Sequence, residues 1–348
     1  MPRLPITSAM IAQKLSVSRA TVSIVLNGHG EARKISARTI ERVVTTAREL
    51  GYAPDRAARN LRTRRSGVVG VLLADFRMDW SERVMTGMAE VFDPDIHTAL
   101  VATHRFDVAR HRKELMAAVQ RRDEAIIVQP VPGQDELYRQ VMRSGVPLIF
   151  LGDRPLADLP TASFAGWDSA AAAHTAVEHL VATGRTRIGH ISVEHALRMT
   201  LERTATFRRV LTDSGLRINE RWIAIPPPGG DVAGMLAGIL ERMFAPGAEH
   251  PDALFMLNDG LALTLLEVLD QRGIRVPDDV AVIGLGDLPL TGHRGISLST
   301  VREPCEEMGR AAARAALTLI ADPGKAPLIA PIPGNELKAR RTTIGTVR

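Results

Sequence analysis

From Gly67 onward, near-continuous apolar runs alternate with helical segments, and this alternation constrains the chain more than any other feature. The runs are Val68–Ala74, Ala99–Thr103, Ala125–Val128, Leu148–Leu151, Ile188–Ser192, Ala253–Leu257 and Val280–Leu285. Between them the spacing predicts helices at Trp80–Val91, Ala109–Arg121, Ser169–Thr183 and Leu261–Arg272. Strands apolar on both faces belong to parallel sheets covered by helices on each side. Two such units in series predict a two-lobed α/β body, with a ligand held at the strand carboxyl ends in the cleft between the lobes.

The first 65 residues read differently. They carry thirteen Lys/Arg and four Asp/Glu, a net of +9, while the other 283 residues carry 31 Lys/Arg and 35 Asp/Glu, a net of −4. A basic head on a mildly acidic body is the electrostatic footprint of phosphate binding. A merely solvated basic tail would lack the regular apolar positions seen here. Thr7 is placed to cap a helix from Ser8 to about Lys14, with Ile11, Ala12 and Leu15 on one face. After the turn Leu15-Ser16-Val17, Ser18 caps a second helix, Arg19–Leu26, with Val22 and Val25 inward. Ser36 caps a third, Ala37–Leu50, with Ile40, Val43, Val44, Ala47 and Leu50 on one face and Gly51 as its stop. Arg19, Ala20, Ser23, Ile24 and Asn27 then face outward, a set suited to base edges and thymine methyls. Arg56 to Arg64 can form a two-turn helix, marginal by itself.

This pattern resembles the lactose-repressor (LacI/GalR) family of transcriptional regulators. In the head the matching residues are Ile11-Ala12, Val17-Ser18-Arg19-Ala20-Thr21-Val22-Ser23, Val25-Leu26-Asn27 and Gly51-Tyr52-Ala53-Pro54. In the body they include Gly67-Val68-Val69-Gly70-Val71, Asp153-Arg154-Pro155, Glu178-His179-Leu180, Arg187-Ile188, Asn258-Asp259, Leu298-Ser299-Thr300-Val301, Met308-Gly309 and Arg341-Thr342-Thr343. The resemblance implies an all-α helix-turn-helix head over residues 1–55, a hinge over 56–66, and a periplasmic-binding-protein-like effector domain over 67–348. Its first lobe is expected at about 67–165 and 290–320, its second at about 166–289 and 321–348. The head's DNA surface is expected from Thr7, Ser8, Ser18, Arg19, Ala20, Thr21, Ser23, Ile24, Asn27, Arg33, Lys34, Ser36, Thr39 and Tyr52, continued by Asp55, Arg56, Ala58, Arg59 and Leu61. In the family two hinge helices pair across the dimer on the operator, and Leu61 takes the place of the leucine that wedges into the minor groove. A plain soluble linker is the other reading of that segment, although a leucine amid arginines is odd for one.

The resemblance also assigns the effector pocket. Trp80 takes an aromatic position suited to a sugar face, Arg203 the ligand arginine and Asn258 a strand-end amide, with Asp75, Asp153 and Asp287 completing the ring. Several positions depart from the family. Ile24 replaces an arginine after Thr-Val-Ser, which trades guanine readout for methyl packing, unless Ile24 belongs to the core. Ser16 stands where the turn usually holds glycine, and the loop from Asn27 to Ser36 is longer, placing Arg33 and Lys34 as phosphate contacts. Gly286-Asp287 replaces the usual Asp-Asp, and Gly152-Asp153 is offset by a residue. With Arg203 kept, these changes shift weight from a lactose-like polyol toward a sugar phosphate or sugar acid.

Other chemistries find little footing. His174, Glu178 and His179 share a helix but match no zinc-peptidase spacing, Gly284-x-Gly286 lacks a third glycine, and neither Gly-x-Ser-x-Gly nor a Walker run occurs. The lone Cys305 reads as structural. No catalytic residue, metal or cofactor is expected. No apolar run reaches the roughly 18–20 residues of a membrane span, and the segment MPRLPITSAM has no signal-peptide core. With a single cysteine these features predict a cytoplasmic protein that is not an enzyme. The expected partners are double-stranded operator DNA, a small-molecule effector and a second copy of the chain, a homodimer being favoured by the short tail after the last strand. The competing reading is a solute-binding protein for a small sugar-like ligand, which would share the body but carry an export signal and no basic head.

Overall fold

The computed structural model describes residues 6–26, 28–52, 66–76, 79–94, 96–153, 159, 162–194, 197–227 and 230–345. Asn27, Asp55, Arg56, Ala58, Arg59 and Leu61, and with them the whole expected hinge helix, lie outside the described residues. The chain divides into two compact units, residues 1–66 and 67–348.

The first unit is a three-helix head: α1 (Ser8–Leu15), α2 (Arg19–Leu26) and α3 (Ala37–Glu49). Each begins at its expected cap. The Thr7 hydroxyl accepts from the Met10 amide at 3.4 Å, Ser18 from Thr21 at 3.0 Å and Ser36 from Thr39 at 3.3 Å, supplying acceptors to otherwise orphaned N–H groups. Ile11, Ala12, Val22, Val25, Val43 and Ala47 form the buried core, flanked by Leu15, Val17, Leu26, Ile35, Ile40, Leu50 and Tyr52. Val44, expected inward, is 39% exposed, and Thr46 is buried instead. The small core accepts only a narrow stripe of α3, running through positions 40, 43, 46, 47 and 50.

The α1–α2 turn depends on Ser16, which sits in the left-handed region at φ 57 and ψ 41. Its N–H reaches the carbonyls of Ala12 and Gln13, and the Val17 N–H reaches Ala12 at 3.0 Å. The turn therefore keeps the hydrogen bonds of a glycine cap while carrying a Cβ that the conformation disfavours.

The second unit holds two six-stranded sheets. The first has the order β11-β5-β4-β3-β1-β2, with β1 (Val68–Leu73), β2 (Thr98–Thr103), β3 (Ala125–Val128), β4 (Leu148–Gly152), β5 (Ser163–Trp167) and β11 (Ile329–Ile332) all parallel. The second has the order β12-β10-β9-β8-β6-β7, with β6 (Ile188–Ile191), β7 (Ile223–Ala224), β8 (Ala253–Met256), β9 (Ala281–Gly286) and β10 (Ser299–Arg302) parallel and β12 (Leu337–Lys338) antiparallel. Helices α4 (Asp79–Ala89), α5 (Val108–Arg121) and α6 (Asp135–Arg143) connect strands of the first sheet. Helix α7 (Ser169–Ala182) carries the chain from β5 to β6, and α8 (Arg198–Asp213), α9 (Val232–Met243) and α10 (Asp259–Gln271) connect strands of the second sheet. Helix α11 (Cys305–Ala321) returns the chain to the first lobe, where it packs on α4 and on β3, β4 and β5, and the short α12 (Arg341–Ile344) packs on β9 and β10.

The chain thus crosses between lobes three times, and the expected lobe bounds need correction. The stretch from 290 to 302, assigned above to the first lobe, ends in β10, which pairs with β9 in the second sheet, Ser299 opposite Ile283. Conversely 329–332, assigned to the second lobe, forms β11 beside β5 in the first sheet. Both strands are only four residues long, too short for periodicity to declare their sheet.

Helices α4 and α11 approach unusually closely. A Cβ added at Gly87 would lie 2.0 Å from the Glu306 carbonyl oxygen, and one at Gly309 would lie 2.0 Å from that of Val84. Only glycine permits this crossing, and it positions α4, which carries Trp80 in its first turn and Arg83 just after it.

Replacing Ser16 with glycine should relieve the left-handed strain and stabilise the head by about 1 kcal/mol. Amide exchange in α1 and α3 of the full chain should then slow roughly fivefold. Unchanged or faster exchange would show that Ser16 is not strained.

Candidate functional site

In the head, Arg19 and Ala20 are exposed on the first turn of α2, while Thr21, Ser23 and Ile24 are half-buried. Ile24 is half-buried and is not among the side chains packed on the head core. Arg33 and Lys34 are exposed on a tight loop closed by Arg33 N–H to His29 O at 3.0 Å and Ile35 N–H to Gly30 O at 3.0 Å. The hydroxyls of Ser18 and Thr21 pair at 2.8 Å, as do those of Ser36 and Thr39. These groups therefore sit at the amino ends of α2 and α3, where the helix dipole and N–H groups favour phosphate. Thr7 is exposed and Ser8 half-buried at the start of α1. Tyr52, expected at the DNA surface, packs partly into the head core, and its N–H bonds to Ala47 O at 2.8 Å.

In the body a cavity of about 470 Å³ opens at the carboxyl ends of β3, β4, β6, β8, β9 and β10. Four of the expected residues, Trp80, Asp153, Arg203 and Asn258, line it. Arg203 is only 2% exposed. Its Nη1 donates to the Leu257 carbonyl at 2.8 Å, and the guanidinium carbon lies 5.7 Å from the Trp167 ring centroid. Its Nε and Nη2 find no hydrogen-bond partner among the described residues. Burial pulls the Arg203 pKa down, opposed by the carboxylates of Glu303, Asp153 and Asp259.

Trp80 donates from Nε1 to the Glu303 carboxylate at 2.7 Å. The edge of its ring lies on Gly152, where an added Cβ would come within 2.7 Å of Trp80 Cζ2 and where φ is 75. The offset Gly152-Asp153 noted in the sequence is thus the seat of the indole. Asp153 is buried and accepts from the Met199 N–H at the start of α8, at 3.2 Å. Asn258 commits its side-chain carbonyl to capping α10, accepting from the Leu261 N–H at 2.9 Å. Its amide NH2 is what it has to offer a ligand.

Asp75 and Asp287 do not join the cavity. The Asp75 carboxylate lies 3.8 Å from Arg105 Nε, and its backbone carbonyl accepts from Ser81 at 2.7 Å. The Asp287 carboxylate accepts from Arg340 Nη2 at 2.6 Å. Both were expected as ligand groups, but each is drawn instead to a nearby arginine, which neutralises it without a ligand.

The sequence reading missed Asp79, Gln129, Asp259 and Glu303, all of which line the cavity. Gln129 directly follows β3 and Glu303 directly follows β10, so the rule that ligands bind at strand carboxyl ends would have found them once those ends were located. Asp259 is fully buried and accepts from the Thr300 hydroxyl at 2.7 Å and the Leu288 N–H at 3.0 Å. Burial pushes its pKa up to about 6, against those hydrogen bonds. Burial likewise raises the Glu303 carboxyl, opposed by Arg203 and the Trp80 N–H. Behind Gln129, burial holds His104 down to about 4 and His111 to about 3, so both are neutral imidazoles; His104 Nε2 bonds to the Gln129 carbonyl at 3.1 Å and His111 Nε2 to the Tyr138 hydroxyl at 3.0 Å. Cys305 also lines the cavity, and burial raises its thiol well above the ordinary value. His179 is occupied by Thr343 at 2.7 Å, and no metal-holding group of three or more His, Cys, Asp or Glu occurs among the described residues. No helix of the described residues is long and apolar enough to cross a membrane.

A helix-turn-helix head joined to a two-lobed receptor body defines a ligand-responsive transcriptional regulator. The profile of bacterial regulatory proteins of the lacI family matches residues 10–55, and that of the periplasmic binding protein-like domain matches residues 177–343. The transcriptional regulator CelR of Thermobifida fusca is 30% identical over 88% of this chain and 90% of its own. The transcriptional repressor PurR of Photobacterium profundum is 25% identical over 87% and 88%. Among solved structures, a CelR–cellobiose complex superposes with a TM-score of 0.72 at 25% identity, covering 97% of this chain and 99% of that one. The lac repressor dimer bound to operator and the anti-inducer ONPF shares the fold, with a TM-score of 0.80 at 23% identity, covering 98% and 99%. The chain belongs to the lacI family of bacterial regulatory proteins.

Because the folded-state pKa of Asp259 lies above its ordinary value, its ionisation costs stability as pH rises from the ordinary carboxylate value through about 6. Asp259→Asn does not titrate there. The melting temperature of the native protein relative to Asp259→Asn should therefore fall between about pH 4 and 7 and level off above. A difference constant across that range would show that Asp259 titrates normally.

Proposed function

We propose that the protein is a repressor that binds a near-palindromic operator as a homodimer and changes its grip when a carbohydrate fills the body cavity. The basic head supplies the sequence-independent phosphate attraction, which makes binding steeply salt-dependent. Two heads on a two-fold axis suit a two-fold operator. Within each head, Arg19, Ala20, Ser23 and Ile24 of α2 are the base-reading candidates, with Ser18, Thr21, Arg33, Lys34, Ser36 and Thr39 on phosphates. The hinge residues Asp55, Arg56, Ala58, Arg59 and Leu61, together with Asn27, complete the reading by resemblance alone.

The observation that carries the effector reading is Arg203: a buried guanidinium with two unpartnered nitrogens beside the cavity. Leaving such donors unmatched costs about 1–3 kcal/mol or more, so an oxygen-bearing ligand is favoured there. The rest of the lining narrows its class. Asp79, Asp153, Asp259 and Glu303 line the cavity with Arg203 as the one cation among the described lining residues, and this excess of carboxylates disfavours an anion. A neutral sugar suits this wall better than the phosphate or acid favoured by the sequence alone. Carboxylates accept from hydroxyls, Arg203 donates to them, and Trp80 offers a ring face. The cellobiose found with the CelR relative supports the same class. A coupling of roughly 1–3 kcal/mol per ligand would change operator affinity about 5- to 150-fold.

The test is a gel-shift titration on DNA upstream of the gene, with cellobiose and gluconate as neutral and anionic probes. Cellobiose should shift operator affinity and gluconate should not. A response to gluconate alone would reverse the class of effector. Arg203→Ala should abolish the shift with operator binding retained, and a normal response would move the ligand site elsewhere. Selection of operators by Ile24→Arg should enrich guanine at one base pair per half-site, by about 1–3 kcal/mol of discrimination. An unchanged consensus would place Ile24 away from the bases.

A further inference from the structure

Arg83 follows Trp80 by three residues on α4, and its side chain is 14% exposed. Its guanidinium makes two kinds of contact. Within the first lobe, Nε and Nη2 clamp the Glu306 carboxylate of α11 at 2.9 and 3.1 Å. Toward the second lobe, Nη1 donates to the carbonyls of Gly286 and Asp287 at 3.2 and 3.4 Å, and Nη2 also reaches the Glu303 carbonyl at 3.3 Å. One planar cation therefore spans both lobes beside the cavity.

The second-lobe partner is a turn with an unusual conformation. Asp287 has φ 55, in the left-handed region. Its amide donates to the Thr300 hydroxyl at 3.3 Å, and its carboxylate accepts from Arg340 Nη2 at 2.6 Å. The next amide, Leu288, donates to Asp259. With the turn held in this way, the carbonyls of 286 and 287 are presented to Arg83, while Gly286 and Leu288 face the cavity. A purely structural role for Arg83 in joining α4 to α11 would need only Glu306, and that joint is already made by the close approach at Gly87 and Gly309.

We propose that Arg83 is an interlobe clasp, a positioning residue that holds the 286–288 turn of the second lobe against α4, so that separating the lobes requires breaking its bonds to the two carbonyls. The same helix carries Trp80, which ties the clasp to occupancy of the cavity. This regulatory meaning rests on the cavity being the effector site, but the clasp itself is testable without any effector.

The experiment is hydrogen exchange on the full-length, ligand-free protein and two variants. Arg83→Met should speed exchange of the peptide spanning 284–290 by about tenfold or more, with β3 and β8 unchanged. Arg83→Lys keeps the charge for Glu306, but its single ammonium cannot reproduce the planar fork. It should retain the native melting temperature and still expose 284–290. Native protection of 284–290 in both variants would overturn the proposal. So would a uniform loss throughout α4 and α11, which would mark Arg83 as a structural tie only. Failure of cellobiose or gluconate to alter operator binding would count against the effector reading and leave the exchange result standing.

Discussion

A guanidinium taken out of water without full hydrogen bonding is among the least favourable groups a protein can bury, and the body of this protein is arranged around one. Arg203 is held by one carbonyl and the face of Trp167, and balanced at longer range by Glu303, Asp153 and Asp259. Its remaining donors have no protein partner. The strand ends of both sheets converge on this charge, and the carboxylates that neutralise it also give the cavity its acidic wall. In the proposed function, the same residue creates the demand for a ligand oxygen and its counter-charges favour a neutral ligand.

The second organising constraint is the crossing of α4 and α11. Because glycines meet backbone at Gly87 and Gly309, the two helices pack closely, and the amino-terminal turn of α4 is carried to the mouth of the cavity. Trp80 there reaches Glu303, and Arg83 reaches Glu306 and the 286–288 turn. Glu303 itself sits on the crossover from β10 to α11. Sheet, crossover and helix are thus linked through Trp80 and Glu303, which line the cavity, and through Arg83 beside it.

Much of this was legible in the chain. The caps Thr7, Ser18 and Ser36, the inward pair Val22 and Val25, and the strands around 68, 125, 253 and 281 follow from local chemistry and spacing. They required no knowledge of distant contacts. Arg203, Trp80, Asp153 and Asn258 were found by family resemblance, and the structure gathers them around one cavity. Asp75 and Asp287 do not line it, since a carboxylate near a strand end is equally suited to a ligand or to an arginine. Arg105 and Arg340, the partners that took them, lie 30 and 53 residues away along the chain. Glu303 was overlooked because the four-residue β10 that aims it is not among the apolar runs, whereas Gln129 stands at the end of a run already legible in the sequence.

What the sequence alone determined is the division of labour: a basic three-helix reader followed by an α/β receptor, written in charge, capping residues and apolar periodicity, all of which act over a few residues. Tertiary structure alone decided which carboxylates face the ligand space, which sheet receives β10 and β11, and that Arg83 bridges two lobes. Those outcomes turn on competition among partners far apart in the chain, and electrostatic pairing and close helix packing are settled only when the fold brings the competitors within a few ångströms of each other.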